Sequence, residues 1–343
     1  MKREKIINLV AVAFVVFMAS CTKENVGIKV NNIHYNTSSK TSDYYTHITL
    51  SNGMLDFDSS SIVVAVINSL DSELISWNNN FITTWGYLSD DSLNIIADEV
   101  GYNEDQPLID FENYFNFNSL RAVIDSQEIS WLATTSGEDI SSDPDNHFII
   151  DDALRTILNR YSEIKVGTPI YKFADSGYYE ITDGSFSTLY ALRHNPDIAD
   201  TASNIILHKN NGSITYDCFG WKRKSDYESN GSTTHRIKWV IAIRTTPWNR
   251  YIVGKTKNYK KVQGKWKKYI TSCLVKPYGY VSGTVNDTVA DCTTKYDFNP
   301  QGYYKQKKAK KVIFRINVQT RTSSGWVHGY HVGASGISKT STL

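Results

Sequence analysis

The sequence predicts an α+β fold: a mixed helix and sheet N-terminal domain followed by a mostly antiparallel, β-sandwich-like C-terminal domain. Three observations predict it. Apolar residues recur at helical spacing early in the chain, as in Val63, Val66, Ile67, Leu70 and Leu74. After about Tyr216 the texture changes to alternating runs divided by turn residues. The charge changes at the same place. Residues 22–218 carry 10 Lys and Arg against 29 Asp and Glu, a net −19, whereas residues 219–343 carry 24 against 5, a net +19. An acidic body with a basic end predicts either mutual attraction of two domains or a module that faces a polyanion.

The first element is a leader. Met1-Lys2-Arg3-Glu4-Lys5 is basic, Ile6 to Phe17 is apolar apart from Asn8, and small Ala19 and Ser20 precede Cys21. That order is a secretory signal, and the apolar run is shorter than the roughly 20 residues of a membrane span. Met18-Ala19-Ser20-Cys21 resembles the bacterial lipobox, with Met where Leu is usual. The resemblance implies that Cys21 is acylated and becomes the first mature residue. Acyl chains contribute roughly 0.8 kcal/mol per buried methylene, which is enough to hold a protein at a bilayer. Residues 22–42 are polar and rich in Asn, Ser, Thr and Lys, as a tether would be.

Structure is expected from near Tyr44. Tyr45 to Leu50 and Met54 to Phe57 form a hairpin about Asn52-Gly53. Helices are expected over Ile62–Trp77, Asn118–Ala133 and Phe148–Arg160, while Gly101 to Asn116 is aromatic and acidic without a readable period. Two short strands lie in Glu163–Phe173, another at Tyr178–Thr182, and a helix at Ser187–Arg193 stops before Asn195-Pro196. Farther on, strands are expected at Arg236–Thr245, Tyr251–Lys255, Trp266–Val275, Tyr278–Val281 and Lys311–Arg321. The organisation is therefore a signal peptide at 1–20, a tether at 21–42, an acidic α+β domain at 43–215 and a basic β-rich domain at 216–343.

Beyond Cys21 the cysteines are Cys218, Cys273 and Cys292. In an oxidising compartment Cys273 and Cys292 would close a modest loop as a disulfide, leaving Cys218 over. The alternative is three buried thiols.

The common catalytic motifs are absent or incomplete. Gly254-Lys255-Thr256 ends like a phosphate-binding loop, but Asn249 stands where the first glycine belongs and no helix follows. Neither a Gly-x-Ser-x-Gly elbow nor a His-Glu-x-x-His zinc motif is present. His328 and His331 point to opposite faces of a strand and cannot chelate together. Asp143 and Asp145 have calcium-loop spacing without the later glycine and glutamate, and a helix N-terminus accounts for them better. No catalytic residue, cofactor or metal is expected. The stretch with most chemical content runs from Lys255 to Tyr269, and Tyr303 to Lys311 echoes it. Lysines interleaved with aromatic rings suit anionic polymers. The expected contact set is Lys257, Tyr259, Lys260, Lys261, Lys265, Trp266, Lys267, Lys307, Lys308, Lys310 and Lys311. The competing accounts are that these lysines blunt strand edges or that the basic face docks on the acidic body.

Asn52-Gly53-Met54-Leu55-x-Phe57, Glu163-Ile164-Lys165-Val166-Gly167 leading to Ile170-Tyr171-Lys172, and the basic Trp- and Tyr-rich end resemble uncharacterised lipoproteins of gut Bacteroidota, carriers of domains of unknown function. The resemblance covers most of the mature chain and implies an envelope location without an activity. Some lipoproteins of that phylum use acidic residues after the cysteine to reach the cell surface, and Thr22-Lys23-Glu24-Asn25 supplies one acid. The phylum also O-glycosylates exported proteins at Asp-Ser/Thr before an apolar residue, which implies Ser92, Thr201 and Thr288 as acceptors.

The expectation for function is a cell-envelope protein, anchored in the outer membrane through lipid, whose basic β-domain binds an anionic glycan such as lipopolysaccharide, or a partner protein, without catalysis. Nucleic acid is not an expected partner of an exported chain. The alternatives are a glycan-processing enzyme working through body carboxylates and a secreted antagonist acting on membranes.

Overall fold

The computed structural model describes residues 43–134, 139–209, 222–248, 250–285, 294–296, 304–316 and 320–343. The signal sequence, Cys21, the tether, Cys218, Thr288 and Cys292 lie outside these residues. The fold is α+β: helices dominate the first half and antiparallel strands the second. Residues Thr41–Leu343 form one compact unit.

The chain enters through the expected hairpin, β1 (Ile48–Ser51) and β2 (Met54–Phe57). Asn52 and Gly53 both take positive φ, 52° and 69°, as the tight turn requires. Helix α1 (Ser60–Trp85) runs eight residues beyond its expected end. The reason is legible in its buried stripe: Leu74, Asn78, Phe81 and Trp85 continue the i+4, i+3, i+4 spacing past Trp77. Helix α2 (Asp90–Glu99) is additional to the expected elements; Ser89 caps it, its hydroxyl accepting from the Ser92 N–H. The aromatic stretch without a readable period contains α3 (Gln106–Tyr114), and α4 (Leu120–Thr134) lies where a helix was expected.

The third expected helix is cut short. Only Asp152–Ile157 is helical (α5), with Asp151 Oδ1 accepting from the Ala153 N–H. Asp143 and Asp145 therefore do not sit at a helix N-terminus, which corrects the sequence reading. They lie in a loop that faces the sheet described below.

β3 (Glu163–Val166), β4 (Ile170–Ala174), β5 (Gly177–Ile181) and β6 (Ile205–Lys209) extend the first hairpin into a six-stranded sheet, ordered β1-β2-β3-β4-β5-β6. Only the β2–β3 pairing within it is parallel. Helix α6 (Phe186–His194) lies between β5 and β6, capped by Ser185.

The second sheet holds β7 (Lys222–Glu228), β8 (His235–Thr245), β9 (Arg250–Val262), β10 (Lys265–Lys268) and β14 (Lys308–Ile316). Its order is β10-β9-β8-β7, and β14 pairs with the first half of β9. A third sheet joins β11 (Thr271–Val285), β12 (Thr294–Tyr296), β13 (Tyr304–Gln306), β15 (Thr320–Val332) and β16 (Ser338–Thr342). The second and third sheets stack as a sandwich. Gly254 marks the close approach: a Cβ there would lie 2.6 Å from Val275 Cγ2. That contact accounts for a glycine in Gly254-Lys255-Thr256 without any phosphate.

The period of two along β8 and β9 sorts side chains between layers. Ile237, Trp239 and Ile241 turn one way; Arg236, Lys238, Val240, Ala242 and Arg244 turn the other. On this second face Val240, Ala242, Tyr251 and Val253 join one hydrophobic core with Phe57, Val66, Leu70, Leu154 and Ile164. The acidic and basic stretches thus share a core. His331 lies in the sandwich, its Nδ1 2.9 Å from Thr256 Oγ1 and its Nε2 3.1 Å from Ser341 Oγ, while His328 Nδ1 lies 2.7 Å from Thr342 Oγ1.

Candidate functional site

Two sets of lysines lie a few residues apart on the second sheet. The first set is turned inward against the helices. Lys238 Nζ donates to Asp143 Oδ2 at 2.6 Å and to Asp145 Oδ2 at 3.3 Å. Lys255 reaches Asp152 at 2.9 Å and Asp145 at 3.5 Å. Lys257 reaches Asp145 at 2.7 Å and Glu128 at 3.0 Å. From β14, Lys308 pairs with Asp105 at 2.6 Å and Asp152 at 3.0 Å, and Lys310 with Asp71 at 2.9 Å and Asp151 at 3.1 Å. Lys268 reaches Asp125 and Glu128, and Tyr259 donates to Glu128 at 3.0 Å. Arg155, from the body itself, completes the layer on Asp145.

The sheet supplies these side chains at alternate positions, the cations Lys255 and Lys257 and the neutral Tyr259 on β9, Lys308 and Lys310 on β14, so they share one face. Burial alone would raise the Asp145 and Asp152 carboxyls. The lysines and Arg155 outweigh it and hold both well below the ordinary carboxylate range. Glu128 is lowered in the same way, against its burial, by Lys257 and Lys268. Lys257, Tyr259, Lys308 and Lys310 therefore meet body carboxylates inside the protein, and the structure removes them from the expected polyanion surface. Lys260 is half-buried and pairs with Asp91.

The second set faces a groove of about 630 Å³ between the helices and the β9–β10 hairpin. Lys265 and Lys267 are exposed at its edge, Lys307 is half-buried beside them, and Trp266 forms part of the wall. Among the described residues β10 pairs with β9 alone, so its other edge is open. Trp266 is 7% exposed; the Arg236 guanidinium lies 4.3 Å from its ring and Lys261 Nζ 5.3 Å. Its indole N–H is buried and has no hydrogen-bond partner among the described residues.

The opposite wall comes from α2, α4 and the segment Gly101–Asp105. That segment is fixed to α1. Trp77 Nε1 donates to Asn103 O at 2.7 Å, Asn78 Nδ2 donates to Glu104 O at 3.3 Å, and the Tyr102 hydroxyl donates to Asn78 Oδ1. Tyr102 stacks on Phe81 with ring centres 3.7 Å apart. Asp98, Glu104 and Asp125 line this wall together with the apolar side chains of Ile129 and Leu132. Glu104 is 6% exposed; burial, first among the causes, raises its pKa against the pull of Lys308, Lys307 and Lys268.

The remaining expected sites are placed as follows. Lys311 lies on β14, with its side chain outside the described residues. Cys273 is buried on β11; its expected disulfide partner is outside the described residues. Ser92 is exposed in the first turn of α2, and Thr201 is exposed after a 3-10 turn, its hydroxyl donating to Ile198 O at 3.3 Å. Sequence reasoning missed Asp125 and Asp145 as partners of the lysines. The signal available was the alternate spacing of the cations in β8, β9 and β14, which reads as one buried face only once an acidic partner layer is assumed.

No protein-family model matches the chain, and no curated protein matches it. Among solved structures, a crystal structure of a DUF4848 family protein from Bacteroides thetaiotaomicron is similar to this chain at 9% identity, over 86% of this chain and 100% of its own, with a TM-score of 0.20. That neighbour is a Bacteroidota domain of unknown function.

Proposed function

We propose that this chain is a non-catalytic envelope protein, held at the outer membrane through acylated Cys21, which binds an anionic saccharide in the groove beside β10. One observation carries the reading: Lys265, Lys267 and Lys307 surround a groove into whose wall a buried indole N–H is built without a protein partner among the described residues. Ammonium groups suit sulfate or carboxylate substituents, and the apolar strip of Ile129 and Leu132 suits the C–H face of a sugar. Asp98 and Asp125, on the facing wall, suit hydroxyl donors.

A second reading has one observation in its favour. The open edge of β10 offers main-chain donors and acceptors to an extended segment of a partner protein, which would add as a further strand.

The test is binding of heparin-type and uncharged oligosaccharides at about 0.15 M salt, where exposed charges more than roughly 8 Å apart are screened, with the K265A/K267A/K307A variant beside the native chain. The proposal expects selective binding of the anionic sugar and at least a tenfold weaker affinity in the variant, with unchanged thermal stability. Equal affinity in both proteins contradicts it. A Trp266→Phe variant keeps an aromatic ring and removes the N–H, and a several-fold loss of affinity there assigns the indole to the ligand.

A further inference from the structure

The groove beside β10 has a basic wall and an acidic wall, and one carboxyl on the acidic wall differs from the other buried ones. Among the described residues, each buried Asp or Glu other than Glu104 is ion-paired with a lysine or arginine, as Glu128 is with Lys257 and Asp152 with Lys255. Glu104 is 6% exposed and lines the groove, and its carboxyl makes no ion pair and no hydrogen bond among the described residues. A carboxylate taken out of water without a partner is costly, so the groove contains an acceptor that the protein itself leaves unmet.

The position of that acceptor is fixed. The Glu104 carbonyl accepts from Asn78 Nδ2, and the next residue, Asp105, is held by Lys308 at 2.6 Å. On the other side, the stacking of Tyr102 on Phe81 anchors the segment to α1. The cations nearby are already committed, Lys308 to Asp105 and Asp152, Lys268 to Asp125 and Glu128. Burial raises the Glu104 carboxyl against their pull, and a cation arriving with a ligand would hold it ionised. Asp98, exposed on α2 along the same wall, is a second carboxylate without an ion pair among the described residues. On the basic wall Lys265, Lys267 and Lys307 are in the same condition. Unmet groups of both signs therefore line one groove of about 630 Å³.

We infer that the ligand of this groove is a saccharide with a free primary amine beside its anionic substituent, its ammonium directed to Glu104 and Asp98 and its anion to Lys265, Lys267 and Lys307. This deepens the groove reading proposed above and rests on it. An ammonium offers three charged donors to carboxylate oxygens, and the resulting bonds are stronger than those from sugar hydroxyls. An acetylated amine offers one neutral N–H and brings no charge to Glu104.

The experiment is calorimetric titration of the full chain at slightly acid pH with two heparin-type oligosaccharides. One is N-desulfated and carries free amines; the other is the same material after N-acetylation, so that the remaining sulfates are equal. The inference expects the free-amine form to bind about tenfold more tightly. In Glu104→Gln that preference should fall to about twofold or less, with the affinity for the N-acetylated form kept, because the lysines are untouched. Asp98→Asn, at an exposed position, should reduce the preference in the same direction and serves if Glu104→Gln does not fold. Equal affinity for the two forms in the native chain overturns the inference and leaves the groove reading standing, as does a preference that neither variant changes. Absence of binding by either form overturns both.

Discussion

Lys257 and Lys267 stand ten residues apart in one hairpin and have opposite fates. Lys257 is 6% exposed and sits between Glu128 and Asp145; Lys267 is exposed at the rim of a groove. Composition does not separate them, since both lie in the same lysine-rich run. What separates them is where they fall along the hairpin and the presence of a carboxylate layer over one face. A buried ammonium needs a paired carboxylate because the cost of taking either charge out of water is several kcal/mol. A rim ammonium keeps its water and remains able to exchange it for a ligand.

The comparison breaks most severely at Asp145. This carboxylate meets Arg155, Lys238, Lys255 and Lys257 in the interior. Asp145→Ala leaves those cations without their shared counter-charge, and a loss of about 3–5 kcal/mol of stability is expected by urea unfolding. An unchanged urea midpoint would show that the layer does not hold the two halves together.

Acid sharpens the same contrast in two steps. His147 and His331 are both pushed down to about 3 by burial, so the unfolded chain takes up their protons first as pH falls below about 6.5. Their stabilising contribution is complete above about pH 6.5 and is lost progressively down to about 3. The depressed carboxyls of Asp145, Asp152 and Glu128 act lower: their contribution is complete above about pH 4 and falls as the pH drops toward their folded-state values. Denaturant midpoints from about pH 8 to about pH 3 should therefore decline below about 6.5 and more steeply below about 4. A flat profile down to about pH 4 would contradict the histidine part, and His331→Gln should reduce the slope from about pH 6.5 down to about 3.

At the other end of the scale, Lys265→Ala and Lys267→Ala should change stability by no more than about 0.5 kcal/mol, because neither side chain is buried. A loss above about 1 kcal/mol in either would place these lysines with the structural set.

Much of the fold was legible, and the reasons are local. Asn52-Gly53 with flanking alternation announced the first hairpin, and Val63 to Leu74 announced α1. What was not legible depended on partners distant in sequence. Asp143 and Asp145 look like helix-start acids until β8 and β9, about a hundred residues away, supply Lys238, Lys255 and Lys257. The expected strand Trp266–Val275 is two strands, β10 and β11, because Lys265 to Lys268 return along β9. The groove was half-visible. Lys265, Trp266, Lys267 and Lys307 were among the expected contacts, but the opposing wall of Asp98, Glu104 and Asp125 arises only when α2 and α4 meet the hairpin. Docking of the basic face on the acidic body, the competing account of the lysines, is what the structure displays for the inward-facing set.

The central claim is that opposite charges from the two halves of the chain meet across a buried layer, and a double-mutant cycle at Lys257 and Glu128 tests it most directly. Urea unfolding of Lys257→Met, Glu128→Gln and the double variant gives the coupling between them. The account predicts that each single change is destabilising and that the double change loses less than their sum, with a coupling of about 1–3 kcal/mol. Strict additivity of the two losses would show that the charges do not meet, and would contradict it.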